Sequence, residues 1–263
     1  MQNAVCAALL ASVICGIIGV IIVEKKLVMM SGGIAHTSYG GVGLGYLLNF
    51  QPVFGAFAFA ALAAFGIGYL KKKGGAKTDA VIGLFWSLGM ALGVLFVYLT
   101  PGYAPDLSSY LFGNILSVLN FDLIVLLITS LIVSAVTFIF FNDWKSYLFD
   151  SEFAFITGKK TAFLEYMLFV MIALSVVALI KVVGIILVIA LLTAPAACSA
   201  FFTNSLKKRM LFSVLLSVIF CFAGLLLSCI LDIASGASIV IFSVICYAVL
   251  YLIKGLKKYE RKI

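Results

Sequence analysis

The sequence predicts an all-α polytopic membrane protein with about nine transmembrane helices (eight or nine), the N-terminus outside and the C-terminus in the cytoplasm. Three observations carry that expectation. The first is composition: 65% of the 263 residues are hydrophobic and 11% are charged, with a mean hydropathy of +1.26. A soluble domain is about half apolar and a quarter charged, so this chain lacks the polar groups to cover itself in water. The second is that the charges are confined to short clusters separated by long uncharged windows. The third is the sign of those clusters, which alternate along the chain between strongly basic and nearly charge-free or acidic.

A bilayer core of about 30 Å needs roughly 20 apolar residues per helix. Met1 to Val23 supplies the first span, and Leu27 to Leu70 is long enough for two, with Asn49-Phe50-Gln51-Pro52 as the polar turn between them. Ala80 to Pro105, Leu123 to Asn142, Leu164 to Ile180, Val182 to Leu206, Met210 to Leu231 and Ile233 to Ile253 supply one each. With most of the chain in lipid, residues 1–263 form a single transmembrane domain, and the longest polar stretch is a loop at about 143–165. The first segment has the length of a signal peptide but lacks a positive n-region; its charges, Lys25 and Lys26, follow the apolar run. It reads as a retained helix.

Short loops rich in Lys and Arg stay in the cytoplasm. With the N-terminus outside, every one of the 18 basic residues except Lys181 falls on the cytoplasmic side. The net charge of +8 raises nucleic acid as a partner, and this placement excludes it: the charge is spread over the loops of a membrane protein, not gathered on one face of a soluble domain. The six cysteines (Cys6, Cys15, Cys198, Cys221, Cys229 and Cys246) lie within or at the ends of apolar spans without a C-x-x-C pair, so they read as small apolar residues. No Walker A loop, H-E-x-x-H or G-x-S-x-G occurs. The chain therefore reads as a non-enzyme, with no catalytic or cofactor-binding residue and no ATPase site of its own.

Three features carry information about function. The second span, Leu27 to Tyr46, holds the only histidine, His36, about ten residues into the membrane, among Gly32, Gly33, Gly40, Gly41, Gly43 and Gly45 and the hydroxyls of Ser31, Thr37, Ser38 and Tyr39. Glycine at this density lets helices approach closely or bend, and an ionisable group within the membrane is a functional candidate because burying it is costly. The other reading of His36 is a neutral imidazole hydrogen-bonded to a neighbouring helix. In the loop 143–165, Phe149 to Phe163 has the pattern of a short amphipathic helix, with Ser151 capping its start, Asp150 and Glu152 at its positive end and Gly158 at its stop. Phe153, Phe155 and Ile156 on such a helix suit either a protein partner or the lipid headgroups. Thirdly, the outer loop Thr100 to Leu123 contains an apolar stretch, Ser108 to Ser117, too short to cross and readable as a re-entrant or surface helix. Asp106, Asp122 and Asp232 make the outer face acidic, either to collect cations or simply as solvated charges.

In order along the chain, Ser31-Gly32-Gly33-Ile34-Ala35-His36 with Gly40-Gly41-Val42-Gly43, Asp79 to Gly93, Ser109-Tyr-Leu-Phe-Gly-Asn-Ile-Leu116, Phe149 to Gly158, Lys181 to Ala197 and Asp232 to Ser238 resemble the membrane subunit of ABC importers for zinc, manganese and related divalent metals. The resemblance covers most of the chain. It implies a type II importer-like permease in a bacterial-type plasma membrane, a homodimer with the translocation path at its interface. It further implies two cytoplasmic ATPase subunits that use ATP and dock at Asp150, Ser151, Glu152, Phe153, Ala154 and Gly158, and an extracytoplasmic metal-binding protein that delivers the ion. It makes His36 the candidate metal residue on the path. One departure stands out: the family motif has an aspartate where this chain has Gly32, one helical turn before His36. Either Ser31, Thr37, Ser38 or Tyr39 and a second His36 complete a site, or the cargo is a metal chelate or small organic solute. A non-transporting membrane scaffold or sensor bound to an ATPase is the alternative from a different class.

Overall fold

The computed structural model describes residues 2–72, 78–101, 110–111, 113 and 115–260. Among them every regular element is helical. The helices are α1 (Gln2–Glu24), α2 (Val28–Leu47), α3 (Pro52–Lys72), α4 (Thr78–Tyr98), α5 (Asn120–Ile139), α6 (Phe141–Phe149), α7 (Ser151–Ile156), α8 (Thr161–Val183), α9 (Ile185–Ser199), α10 (Leu206–Leu231) and α11 (Ser235–Glu260), with a 3₁₀ turn at Ile115–Ser117. All nine uncharged windows fold as helix. Seven helices, α1, α3, α4, α5, α8, α10 and α11, are long and apolar enough to cross a membrane. The other two windows fall short for different reasons. α2 has 20 residues, but its glycines and hydroxyls dilute its hydropathy. α9 has 15 residues, about 22 Å at 1.5 Å per residue, because Gly184 at φ 87° delays its start and it ends at Ser199, with 200–205 outside the helix. Of the expected apolar helix at 108–117, residues 108, 109, 112 and 114 lie outside the described residues, as does Asp106; the described parts are helical Tyr110 and Leu111, Gly113 and the 3₁₀ turn Ile115–Ser117.

Two groups of helices share α8 between them. α2 packs on α3 and α4; α1 packs on α5, α9 and α10, with α11 against α9 and α10. α1 and α8 have 67% and 72% of their apolar windows buried, whereas α4, α10 and α11 have 28%, 28% and 22%, so the last three present most of their surface outward.

The α2 contacts rest on glycine. Gly41 of α2 faces Gly55 of α3, and a Cβ on either would run into the carbonyl oxygen of the other; a Cβ on Gly43 would likewise run into the carbonyl oxygen of Gly93 of α4. Thr37 lies against Gly89, and its hydroxyl donates to the carbonyl of Phe85 at 2.9 Å. Lipid tails are as apolar as leucine, so burial of apolar area does not drive these helices together; close van der Waals packing and interhelical hydrogen bonds do. Gly41→Ala is expected to cost about 3 kcal/mol or more, since the obstructing atoms are backbone and cannot swing aside. Gly83→Ala, where an added Cβ meets nothing within 4 Å, is expected to change stability by less than about 1 kcal/mol and in the stabilising direction. Thermal unfolding of the two variants in detergent separates these outcomes.

Candidate functional site

α2 is buried without interruption from residue 30 to residue 43, and His36 lies within that stretch at 9% exposure. Its ring stacks on the indole of Trp86 with centroids 3.9 Å apart and planes 12° from parallel. Its Nδ1 is 3.4 Å from the Sδ of Met90. Trp86 and Met90 are one turn apart on α4, as Gly32 and His36 are on α2, so each pair shares a helix face and the two faces meet. The site that a side chain at position 32 would enter is bounded by Trp86 and by Ile189 of α9, with a Cβ there 3.4 Å and 3.3 Å from them. Beyond Met90 a shallow groove runs along α4 past Val94 to Tyr98, and Tyr98 is 84% exposed. The imidazole is thus screened by an indole and a thioether from the outward face of α4.

The hydroxyls that could have completed a donor set around His36 are directed elsewhere. Ser31 donates to the carbonyl of Val28 at 2.8 Å, Ser38 to that of Ala35 at 2.6 Å, and Thr37 to those of Gly33 and Phe85 at 2.7 and 2.9 Å. Tyr39 packs its ring against Gly93. Such bonds satisfy hydroxyls inside a membrane helix from its own backbone. Among the described residues no three His, Cys, Asp or Glu side chains gather into a metal-holding group.

One end of the bundle is basic and is tied together by ion pairs: Lys71 with Glu165 at 2.9 Å, Lys159 with Asp143, and Arg209 with Glu24. The ammonium of Lys25 sits 3.7 Å from the centre of the Tyr147 ring. Burial lowers the pKa of Lys25, Lys71 adds to that, and Glu165 and Asp150 oppose it; burial raises that of Tyr147, with Glu165 adding to it. Lys25, Lys71, Tyr147 and Glu165, with Ser151, Glu152, Phe155, Ile156 and Thr161, line an open cavity of about 490 Å³ beneath α7. The cap of α7 is Asp150, not Ser151 as the sequence suggested. Its Oδ1 accepts from the amides of Glu152 at 2.9 Å and Phe153 at 3.1 Å. Aspartate reaches two amides from the extended backbone that precedes the helix, which leaves Ser151 as the first helical residue. Gly158 ends the turn at φ 81°, as expected of it. Ala154 is fully buried, while Phe149, Phe153, Phe155 and Ile156 are exposed.

At the opposite end, Asn3 bonds the Val118 carbonyl and Asn120, each at 3.2 Å, and Tyr46 donates to Tyr110 at 3.3 Å. Burial raises the pKa of Tyr110, and the bond from Tyr46 adds to it. Asp122 corrects the expectation of a solvated outer carboxylate. It is 5% exposed, pairs with Lys181 at 2.9 Å and accepts from the amide of Leu119 at 3.1 Å, so it fastens α5 to α8. Asp232 closes α10 in the left-handed region at φ 51°.

The model of the ABC 3 transport family matches residues 1–254. The chain belongs to that family. It is 38% identical over 95% of its length to an uncharacterized membrane protein of Synechocystis, of which it covers 89%. It is 33% identical over 95% of its length to the manganese transport system membrane protein MntC of Halalkalibacterium halodurans, of which it covers 86%. Among solved structures it resembles PsaBC from Streptococcus pneumoniae, in complex with Fab, with a TM-score of 0.86 at 30% identity, covering 95% of this chain and 90% of that one. This ABC 3 chain is therefore a multi-pass protein of the bacterial plasma membrane and a membrane subunit of the ABC transport type.

Trp86 and Met90 are the site residues that sequence reasoning missed. Both lie in the α4 segment that carries the family resemblance. The available signal was their one-turn spacing, matched to that of Gly32 and His36, but nothing in a single sequence says which face of α4 meets α2. For α7, Asp150→Ala removes the acceptor of two amides and is expected to destabilise the helix by about 1 kcal/mol. Amide exchange of Glu152 and Phe153 is expected to accelerate severalfold while that of α8 stays unchanged; equal exchange in both proteins would show that Asp150 does not hold α7.

Proposed function

We propose that this chain is the permease subunit of an ATP-driven importer that carries a divalent transition metal ion, manganese or zinc, into the cell. The observation that carries the reading is His36: a single imidazole in the middle of the unbroken buried, glycine-packed stretch 30–43 of α2, next to Met90, in a chain of the ABC 3 family. The manganese function in the name of its Halalkalibacterium relative supports the cargo class. In this reading two copies form a homodimer with the path at their interface, and α2 and α9 cross the membrane with the other seven helices. The N-terminus is outside, and the basic end, with its ion pairs and α7, faces the cytoplasm. Asp150, Ser151, Glu152, Phe153, Ala154 and Gly158 form the element on which two ATPase subunits dock; those subunits, not this chain, bind and hydrolyse ATP. An extracytoplasmic binding protein delivers the ion.

His36 supplies a neutral nitrogen donor to the passing ion, and the thioether of Met90 supplies a soft second one. Because the described residues of one chain gather no complete donor set, the ion is held by two chains together or only in passage, which suits transport better than storage. Gly32 removes the carboxylate that would neutralise a dication, and that observation favours the second reading, import of a metal chelate by the same architecture.

Uptake into proteoliposomes by the complete complex, with the binding protein loaded with manganese or zinc, tests both. His36→Ala is expected to lower uptake more than about tenfold with the complex intact. Gly32→Asp, whose Cβ alone would lie 3.3 Å from the side-chain end of Ile189 and 3.4 Å from the Trp86 ring, is expected to raise the manganese-to-zinc uptake ratio by adding a hard oxygen donor. Uptake that survives His36→Ala would return His36 to packing. Absence of uptake of either free ion, with an active binding protein, would leave the chelate.

A further inference from the structure

On the flank formed by α1, α5 and α10 the bundle leaves an open groove of about 1040 Å³. Its walls are Phe138 at the end of α5 and Leu211 and Val214 of α10, with Ile17 of α1 as the floor. Phe138 and Leu211 are 80% and 62% exposed. At the basic end of the bundle the groove closes on Asn142, Lys207 and Lys208.

That end is electrostatically unfinished. α10 begins at Leu206 with no acidic residue in its first turn, and the hydroxyl of Ser205 makes no capping bond to it. Lys207, Lys208 and Arg209 instead follow one another at the positive end of the helix dipole, where cations are unfavourable. Arg209 is neutralised by Glu24, and the nearby carboxylate of Asp143 is engaged by Lys159. Among the described residues neither Lys207 nor Lys208 has a carboxylate within 4 Å. Thr137, 5% exposed, lines the same groove, and its hydroxyl has no hydrogen-bond partner.

From these we infer that the groove is a binding site for an anionic diacyl phospholipid, its headgroup phosphate on Lys207, Lys208 and the first turn of α10, and an acyl chain along Phe138, Leu211 and Val214. A phosphate there meets free helix amides and two ammonium groups at once. From Lys207 to Val214 the groove runs about 10 Å along α10, within the roughly 15 Å of one hydrocarbon leaflet. A free phosphate would use only the basic end and leave the apolar walls bare; the continuity of the two parts selects a lipid.

The test uses the complete importer complex in detergent, titrated with phosphatidylglycerol, phosphatidylcholine or inorganic phosphate, and read by native mass spectrometry and by thermal midpoint. Phosphatidylglycerol is expected to bind and to raise the midpoint, and the other two are not. Lys207→Ala with Lys208→Ala is expected to weaken phosphatidylglycerol binding about thirtyfold. Leu211→Trp, which fills the groove without touching its charge, is expected to abolish it; both variants are expected to assemble and to bind the ATPase as the parent does. Equal stabilisation by phosphatidylcholine, or by inorganic phosphate alone, would overturn the assignment. So would phosphatidylglycerol binding that persists in both variants. Copy-to-copy disulfide formation through Leu211→Cys in membranes would overturn it as well, by showing that a second chain covers the groove.

Discussion

The fold depends on how closely α2 can approach α3 and α4. Within lipid there is no gain from hiding apolar surface, so helices stay together only where their surfaces fit and where polar groups find partners across the contact. Here the fit is made by backbone against backbone at Gly41–Gly55 and Gly43–Gly93, and the polar link by Thr37 to the Phe85 carbonyl. Those contacts fix the rotation of α2 about its own axis relative to α4. Because His36 is one residue before Thr37 and Trp86 one after Phe85, the same contacts dictate that the imidazole meets the indole and Met90. The site geometry is a consequence of glycine packing a turn away from it.

Charge organises the two ends differently. At the basic end most pairs are partly exposed: Lys71 and Glu165 keep 37% and 30% of their side-chain surface. Exposed pairs of this kind contribute little to stability; what they do is hold the loops between helices in one register and leave Lys25, covered by Tyr147, as a cation inside the cavity beneath α7. At the other end Asp122 is buried against Lys181, one-third exposed. Removing the lysine would strand a buried carboxylate, whereas the lysine on its own could still reach water, so the pair is asymmetric in what each partner requires. α7 itself combines a start fixed by Asp150 with exposed phenylalanines at positions 153 and 155.

Helix positions were legible because lipid imposes a single rule on every residue of a span. Charge-free windows, the Asn49–Pro52 turn and the stop at Gly158 all follow from local chemistry. What failed to show in the sequence was everything set by contact between distant segments. Asp122 read as a solvated loop carboxylate because its partner, Lys181, lies three helices further on. Ser151 read as a cap because serine and aspartate are both good caps, and only the backbone reveals which of the two is still extended. α9 read as a full span because the apolar run is unbroken from Val182 to Leu206, while Gly184 delays the helix and it ends already at Ser199. The histidine was visible from its type and place; Trp86 and Met90 were not, since their role is given by the facing helix.

The glycine at position 32 bears on what the site can hold. An aspartate there would lie beside the Trp86 ring and one turn from His36, and a dication entering between them would meet a fixed negative charge. With glycine, the space is bounded by an indole edge and an isoleucine, and an ion meets only neutral nitrogen and sulfur donors. Desolvating a dication without a compensating charge is expensive, so such a site binds weakly unless a second chain or a chelating ligand adds donors. Weak, soft coordination disfavours a hard ion more than one that accepts nitrogen and sulfur. In the proposed path, a glycine that lowers affinity would also shorten residence, and a short residence is what would let an ion leave on the far side.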